Sequence, residues 1–396
     1  MSGAVSGAPA LARADGELST ESAFAVLARA TELERHGRGI IHLEIGEPDF
    51  ATSRHICEVA IAALRAGQTH YCPSAGLADF RAVIAADLSR TRRITVAPER
   101  VLVGNGAKPF LFFTVLAVCE RGDEVLYPDP GFPIYQSAIR WAGGTPVALP
   151  LREDSDFGFD LDELAARLSK RTKLVILNSP NNPTGGVLGA DQLRSAAEMI
   201  LRTSAWVLSD EVYSRMLYAD AFCSIASAPG MLDRTVVLDG LSKTYAMTGW
   251  RCGYACVPEP LVEPLTRFFI NCTSCVPPFI QRAGIAALEG PQDDVTAMID
   301  EFRARRTLVV DGLNELPGVS CRPPRGAFYA FPNVGALPIS AEDLAGRLLD
   351  EAGVALLAGS AFGAAGAEHL RISYANSRQN LSAALERIGS LLSRLA

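Results

Sequence analysis

The chain has 396 residues, which at roughly 150 residues a domain predicts two to three domains. Its hydrophobic share of 48% and charged share of 20% exclude a disordered chain. The longest apolar run, residues 110–119, is too short to cross a bilayer. The 37 basic and 44 acidic residues give a net charge of −7 without any run of like charges. We therefore expect small-molecule or protein partners, and neither nucleic acid nor a membrane.

The start of the chain contains no basic segment followed by an apolar stretch. We expect residues 1–19 to form a flexible arm rather than a signal peptide, and the protein to be cytoplasmic. Nine cysteines, an odd number, favour reduced thiols over disulfides. Cys252, Cys256, Cys272 and Cys275 loosely resemble paired zinc ligands, but the first pair lies in the strand-like RCGYACV, and we expect no metal site.

An amphipathic helix is predicted first, at residues 21–35, packed either on a smaller domain or on a partner subunit. From about residue 100, short apolar runs alternate with helical patterns, which is typical of βαβ units. The pattern predicts an α/β fold whose large domain holds a mostly parallel seven-stranded sheet flanked by helices. The predicted strands are residues 100–103, 124–127, 145–148, 174–177, 206–209, 235–238 and 253–257.

The pattern changes after about residue 280 to longer helices at residues 280–288 and 295–316, followed by a strand-rich stretch at 319–331. This change indicates a smaller α+β domain. We expect residues 20–45 to join that small domain, residues 46–285 to form the large domain, and residues 286–396 to form the C-terminal small domain.

Ligands of open α/β sheets bind beyond the carboxyl ends of the strands, so the residues that follow each strand are candidates. Gly106, Ala107 and Lys108 follow the first strand and open a helix, where free backbone N–H groups favour a phosphate, although a plain turn is also common there. Asn182 lies in the loop SPNNPTG, whose prolines and glycines hold its amide in place or simply make a turn.

Two further strands end in chemically active residues. Asp210 ends one, with Tyr213 three residues on, and an acid there is equally typical of a helix cap. Lys243 follows the other, among small and aromatic residues that predict a desolvated amine with a lowered pKa. Such an amine can form a Schiff base.

The block SKTYAMTGWRCGY, together with SPNNPTG and SDEVY in the same order, resembles the class I/II aminotransferases, which are fold-type I pyridoxal-phosphate enzymes. The resemblance extends from about residue 21 to the C-terminus. Two positions depart from the pattern: Cys252 replaces an aliphatic residue, and Gly240 replaces a serine that binds phosphate in some members.

The resemblance implies a role for each candidate in binding pyridoxal 5′-phosphate (PLP). Lys243, which follows the cofactor-binding Ser242, would hold PLP as a Schiff base and move the substrate proton. Asp210 would pair with the pyridine nitrogen, and Tyr213 and Asn182 would hydrogen-bond the 3-hydroxyl oxygen.

The resemblance also implies how the phosphate is bound. Arg251 would bind it together with the backbone of Gly106, Ala107 and Lys108. Tyr71 would reach the phosphate of a neighbouring subunit, so the protein would be a homodimer with shared active sites.

The remaining implied contacts concern the cofactor ring and the substrate. Phe132 would stack on the ring, although ordinary core packing is the alternative. Arg371 would bind the substrate α-carboxylate with a bidentate fork, helped by Asn182 and by the backbone of Gly46.

The resemblance thus implies an amino-acid transaminase with 2-oxoglutarate as acceptor and an aspartate-like or broad donor. Lys108 favours an acidic donor unless it only accompanies the phosphate, whereas Phe110, Tyr245 and Phe328 would admit larger side chains. The alternative is a different PLP-dependent reaction of an amino acid, namely elimination, cyclisation or oxidation. A regulatory role would need a DNA-binding module, and about twenty residues before the first helix are too few for one.

Overall fold

The computed structural model describes residue 18, residues 22–218 and residues 221–395. The predicted arm at residues 1–19 lies, apart from one residue, outside this part of the chain. Within the described residues the α-helices are α1 (Ser22–Arg35), α2 (Arg54–Arg65), α3 (Ala78–Arg92), α4 (Lys108–Val118), α5 (Ile134–Trp141), α6 (Leu161–Arg167), α7 (Ala190–Leu201), α8 (Leu241–Thr244), α9 (Glu259–Cys272), α10 (Pro278–Glu289), α11 (Asp293–Asn314), α12 (Ala341–Arg347) and α13 (Arg378–Leu392).

The strands form one large sheet and two small ones. They are β1 (Ile41–His42), β2 (Val101–Gly104), β3 (Glu124–Asp129), β4 (Thr145–Arg152), β5 (Gly158–Phe159), β6 (Thr172–Asn178), β7 (Trp206–Asp210), β8 (Thr235–Gly240), β9 (Gly253–Cys256), β10 (Tyr329–Ala330), β11 (Val354–Ala355), β12 (Leu357–Ala358) and β13 (Leu370–Ser373).

The large sheet has the order β2-β9-β8-β7-β6-β3-β4-β5. Its neighbours pair in parallel, except that β9 is antiparallel to β2 and β8, and β5 is antiparallel to β4. All seven predicted strands are present, and the mostly parallel α/β fold is confirmed. The predicted count was one too low, because the two-residue β5 pairs at the edge and makes the sheet eight-stranded.

Helices cover both faces of this sheet, which explains why its central strands are apolar throughout. Val236 and Leu238 of β8 pack on the face covered by α4, α5 and α9. Val237, between them, packs on the face covered by α3 and α10. Alternate side chains of a strand face opposite sides, so both faces of β8 are buried.

The C-terminal part has its own core. Phe302 of α11 stacks on Phe328 at 5.2 Å between ring centroids, and Ile41 from the N-terminal segment belongs to the same cluster. The predicted strand-rich stretch at residues 319–331 is wrong: it contains β10 and two isolated bridges, at Ser320 and Gly326. The adjacent prolines at 323 and 324 explain this, because they lack the N–H groups that a strand ladder needs.

Helix α1 packs on this C-terminal part, where Ala30 contacts the cluster that contains Leu349 and Ala355. Of the two positions open from the sequence, the structure thus supports packing on the smaller part of the chain.

Across the described ranges, no helix is long and apolar enough to span a membrane, and no three His, Cys, Asp or Glu side chains group as metal ligands would.

Candidate active site

A cavity of about 460 Å³ lies at the carboxyl ends of the parallel strands. The last residues of β6, β7 and β8, which are Asn178, Asp210 and Gly240, all line it. This is the position that an open α/β sheet gives its ligand site. The predicted residues Gly46, Ala107, Lys108, Phe132, Asn182, Asp210, Tyr213, Ser242, Lys243, Arg251 and Arg371 line the same cavity.

Lys243 lies in the short helix α8, immediately after β8. Its Nζ donates a hydrogen bond to the carbonyl of Gly46 at 2.6 Å. Burial lowers the pKa of the Lys243 amine to about 8, against the opposing charge of Glu47, and the nearby Arg251 and Arg371 lower it further. The lowered pKa predicted for this lysine is therefore present, and a substantial fraction of neutral amine exists near physiological pH.

Asp210 is buried at the floor of the cavity and accepts a hydrogen bond at Oδ2 from the Tyr135 hydroxyl at 2.8 Å. Burial raises the pKa of the Asp210 carboxyl to about 6, which the Tyr135 hydrogen bond opposes. The Oδ1 atom, also buried, has no hydrogen-bond partner among the described residues. Tyr135 was not predicted, and its position three residues after Phe132 is the only signal the sequence offers.

Tyr213 and Asn182 approach from two loops. The Tyr213 hydroxyl lies 2.8 Å from that of Tyr329, a cavity residue from the C-terminal part that was also not predicted. The Asn182 backbone N–H donates to Asn178 Oδ1 at 2.9 Å, and Asn182 Oδ1 accepts from Arg371 Nη1 at 3.4 Å. These contacts fix Asn182 between the strand end and the arginine.

One end of the cavity suits an anion such as phosphate. Arg251 adopts a left-handed backbone conformation with φ of 55°, and its Nη1 donates to the Thr248 carbonyl at 2.8 Å. Gly106 has φ of 91°, and a Cβ there would collide with the Arg251 guanidinium. Ala107 is the N-cap residue of α4 and Lys108 is its first residue, and the N–H groups at a helix N-terminus favour negative charge.

A second part of the cavity, around Arg371, suits a carboxylate. Arg371 is 4% exposed, and its Nη2 donates to the Glu44 carbonyl. Its guanidinium lies 4.8 Å from the Tyr329 ring centroid and 5.0 Å from that of Phe362, so the two rings hold it in place. A Cβ at Gly46 would collide with the Tyr329 hydroxyl, which explains the glycine there.

The aromatic residues of the cavity differ from those predicted to admit large substrates. Phe110 and Phe328 pack in hydrophobic cores, and the Tyr245 hydroxyl donates to Gln292 at 3.2 Å on the far side of the sheet. Phe132 lines the cavity, with Lys108 Nζ 5.3 Å from its ring centroid. The expectation for Phe110, Tyr245 and Phe328 is thus wrong.

Tyr71 is 88% exposed and does not line the cavity of its own chain.

The residues present fit pyridoxal phosphate. Asp210 Oδ1 is a buried acceptor without a hydrogen bond, as a carboxylate that meets a ring N–H should be. The cavity also has a primary amine at Lys243 and a guanidinium at Arg251 that suits an anion; the predicted Gly106 lies against this guanidinium but does not itself line the cavity.

The model of the family described as aminotransferase class I and II matches residues 38–388. The chain belongs to this family, which confirms the resemblance seen in the sequence. It is accordingly a PLP-dependent amino-acid transaminase.

Individual relatives agree with this result. The chain is 37% identical over 385 residues to an aspartate aminotransferase of Geobacillus stearothermophilus, covering 96% of this chain and 98% of the relative. The crystal structure of the aspartate aminotransferase from Rhizobium meliloti is similar with a TM-score of 0.94 and 35% identity, covering 98% of this chain and 100% of that one. An aromatic aminotransferase from Pyrococcus horikoshii is similar with a TM-score of 0.88 and 39% identity, covering 93% and 99%.

Proposed function

We propose that this transaminase moves the amino group of an acidic L-amino acid, aspartate or glutamate, to a 2-oxo acid, with 2-oxoglutarate as the acceptor. The observation that carries the proposal is the position of Lys108. Its ammonium lines the cavity over the Phe132 ring. Together with Arg371 it provides two cations that could bind the two carboxylates of an acidic amino acid. The names of relatives that are aspartate aminotransferases support the same donor.

The roles proposed for the site residues follow from their contacts. PLP, when bound, would supply a ring that accepts the electrons left when a bond to the substrate α-carbon breaks. Lys243 Nζ takes the proton from that carbon, for which its lowered pKa is suited. Asp210 holds the proton on the ring nitrogen, and Tyr213 and Asn182 bind the ring oxygen.

The remaining roles concern the two anion-binding parts of the cavity. Arg251 binds the phosphate, together with Ser242 and the first N–H groups of α4. Arg371 orients the substrate by its α-carboxylate, with the backbone of Gly46 beside it. Phe132 stacks on the ring of the cofactor.

The donor panel is the direct experiment. Purified enzyme is incubated with 2-oxoglutarate and aspartate, tyrosine, alanine or arginine, and oxo-acid formation is followed. We expect aspartate to be turned over fastest, and Lys108→Met to lower kcat/KM for aspartate about tenfold more than for alanine, since only aspartate has a distal carboxylate. Equal losses of kcat/KM for both donors would show that Lys108 lies beside the phosphate without binding the distal carboxylate. Fastest turnover of tyrosine would indicate an aromatic donor.

A parallel incubation without an oxo acid tests the outcome of the chemistry. A transaminase stops after one turnover without an acceptor, whereas elimination or cyclisation continues. Sustained product release would therefore displace transamination in favour of one of these reactions.

We further propose a homodimer in which Tyr71 of each chain reaches the phosphate of its partner. The Tyr71 ring is 88% exposed and lies outside the cavity of its own chain, so it is accessible to a second chain. We also propose that residues 46–285 form a large domain and that residues 286–396, joined by residues 20–45, form a small one. The separate hydrophobic cores of the two parts support this division, and limited proteolysis would test it. Cytoplasmic location is proposed from the sequence and would be tested by fractionation.

A further inference from the structure

A buried arginine lies behind the strand ends that carry the cofactor residues. Arg92, the last residue of α3, has a side chain that is 1% exposed. Its Nε donates to Glu211 Oε2 at 3.0 Å, and its Nη2 donates to Ser214 Oγ at 2.7 Å and to Asp239 Oδ2. Its Nη1 also donates to Thr91 Oγ1 at 2.8 Å, so one guanidinium joins two buried carboxylates and two hydroxyls.

The partners of this arginine are sequence neighbours of the cofactor residues. Glu211 directly follows Asp210, and Ser214 directly follows Tyr213. Asp210 lines the cavity while Glu211 contacts the arginine, as expected for consecutive residues that face opposite sides of a strand end. Asp239 lies in β8, the strand paired with β7. The arginine therefore fixes the reverse side of the site.

Both carboxylates accept further hydrogen bonds, but from neutral donors. Glu211 Oε1 accepts from the hydroxyls of Ser209 and Ser224 at 2.8 and 2.5 Å. Asp239 Oδ1 accepts from the backbone N–H of the next residue at 2.7 Å. These bonds orient the carboxylates without supplying positive charge, so the charge compensation in direct contact with them comes from Arg92.

The next charged groups outward pair with one another. Asp87 Oδ1 accepts from Arg90 at 2.6 Å and from Arg215 at 2.7 Å. The Arg90 side chain is 67% exposed, so solvent screens its charge, whereas Arg215 is 22% exposed and its charge lowers the pKa of Asp239 without contacting it. The phenols of Tyr245 and Tyr254 also face this region and are neutral.

We propose that Arg92 is a positioning residue for the cofactor site, which compensates the charges of Glu211 and Asp239 and thereby keeps the Asp210 carboxylate ionised and aimed into the cavity. This inference rests on the role proposed for Asp210. Without the guanidinium, three buried carboxylates would lie together, and at least one would take up a proton. Asp210 would be protonated readily, because burial and the charges of Asp239 and Glu211 raise the pKa of its carboxyl.

The test is a double-mutant cycle on the dissociation constant of PLP from the full-length holoenzyme, followed by visible absorption at about pH 5, below the pKa of Asp210, where a rise of one pKa unit lowers the ionised fraction of Asp210 about tenfold. The variants are Arg92→Met, Asp210→Asn and the combination of both. We expect Arg92→Met to weaken PLP binding about tenfold, equivalent to one pKa unit at Asp210, and less than about twofold when Asn replaces Asp210. Equal losses in both backgrounds, or no loss in either, would overturn the inference.

Two charge-controlled variants sharpen the result. Arg92→Met combined with Glu211→Gln removes one cation and one anion, so we expect PLP affinity to return to within about threefold of wild type. Failure of this rescue would contradict charge compensation. If Arg92→Met does not yield folded protein, Arg92→Lys replaces it in the cycle. Its ammonium reaches fewer partners, and we expect a loss of about threefold that again depends on Asp210.

Arg100→Met is the matched control at the opposite end of the sheet. Arg100 binds the Val257 carbonyl at 2.9 Å and Asp233 Oδ1 at 2.9 Å, far from the cavity. We expect this variant to lower the melting temperature without changing PLP affinity, and an equal loss of PLP affinity in it would contradict a specific role for Arg92. If Asp210→Asn alone leaves PLP affinity unchanged, the role of Asp210 is overturned and this inference with it.

Discussion

The Tyr135 hydroxyl donates to one oxygen of the Asp210 carboxylate, Oδ2, at 2.8 Å, while the other oxygen, Oδ1, is left without a protein donor. The two oxygens therefore have different functions: one is anchored to α5, and the other is available to a ligand. A rigid carboxylate loses little entropy when it binds the cofactor ring.

We expect Tyr135→Phe to weaken PLP binding about tenfold, since a hydrogen bond to a charged group is removed from a buried site. Titration of the cofactor-free protein with PLP measures the change. Tyr127→Phe is the control, because the Tyr127 hydroxyl accepts from Gln136 at 2.6 Å and does not contact Asp210. Equal affinities for wild type and Tyr135→Phe would show that the anchor is unimportant.

Lys243→Ala should abolish covalent attachment of PLP and lower kcat by on the order of a thousandfold, as expected for loss of a catalytic base. Turnover of the best donor and the visible spectrum of the purified protein report the two effects. The exposed Lys170, changed to Ala, should behave as wild type. Normal turnover by Lys243→Ala would disprove the central role of this amine.

The rate at which cofactor-free protein takes up PLP should depend on pH through Lys243. The neutral amine is the nucleophile, and its pKa is about 8, so the rate should rise about tenfold per pH unit below that value and level off above it. Arg371→Met removes a charge that lowers this pKa, so the curve should move to higher pH. A wild-type curve that levels off only near the ordinary lysine value of 10.5 would contradict the lowered pKa.

Arg371→Lys should lower kcat/KM for every amino donor by about 100-fold, since one ammonium cannot reproduce the bidentate contact that orients the substrate. PLP affinity should be unchanged, because the arginine is proposed to contact substrate. Steady-state kinetics and PLP titration separate these effects. Arg378→Lys, at a side chain that is 59% exposed, is the control. A selective loss for acidic donors would instead place Arg371 at the distal carboxylate.

Tyr71→Ala and Lys243→Ala should complement each other if sites are shared. Mixed dimers would contain one site with both changes and one site with neither. After subunit exchange of equal amounts, about a quarter of the sites should be intact, and activity should recover to that fraction. No recovery, or a monomer by sedimentation, would contradict a shared site.

The sequence predicted the part of the site that follows strands, because a strand end and its next residues are adjacent both in the chain and in space. Asp210, Asn182 and Lys243 are all of this kind. Tyr329 is different: it is 116 residues from Tyr213, and only the packing of the C-terminal part brings their hydroxyls together.

The errors have the same origin. Phe110 and Tyr245 are close to site residues in sequence, but the turn of a helix directs them away from the cavity. Arg92 carried no sequence signal at all, since it is one of three arginines at the end of α3, with Arg90 and Arg93, and arginines at a helix end are usually exposed. Helix orientation and side-chain direction depend on tertiary contacts that periodicity does not encode.

The pairing of β1 with β11 sets an order of events during synthesis. Ile41 and His42 pair with Val354 and Ala355, more than three hundred residues later in the chain. The N-terminal segment, including Gly46 of the active site, has no strand partner until nearly the whole polypeptide has left the ribosome. The large sheet can form earlier, since its last strand ends at Cys256. The substrate side of the active site is therefore the last part of this enzyme to be assembled.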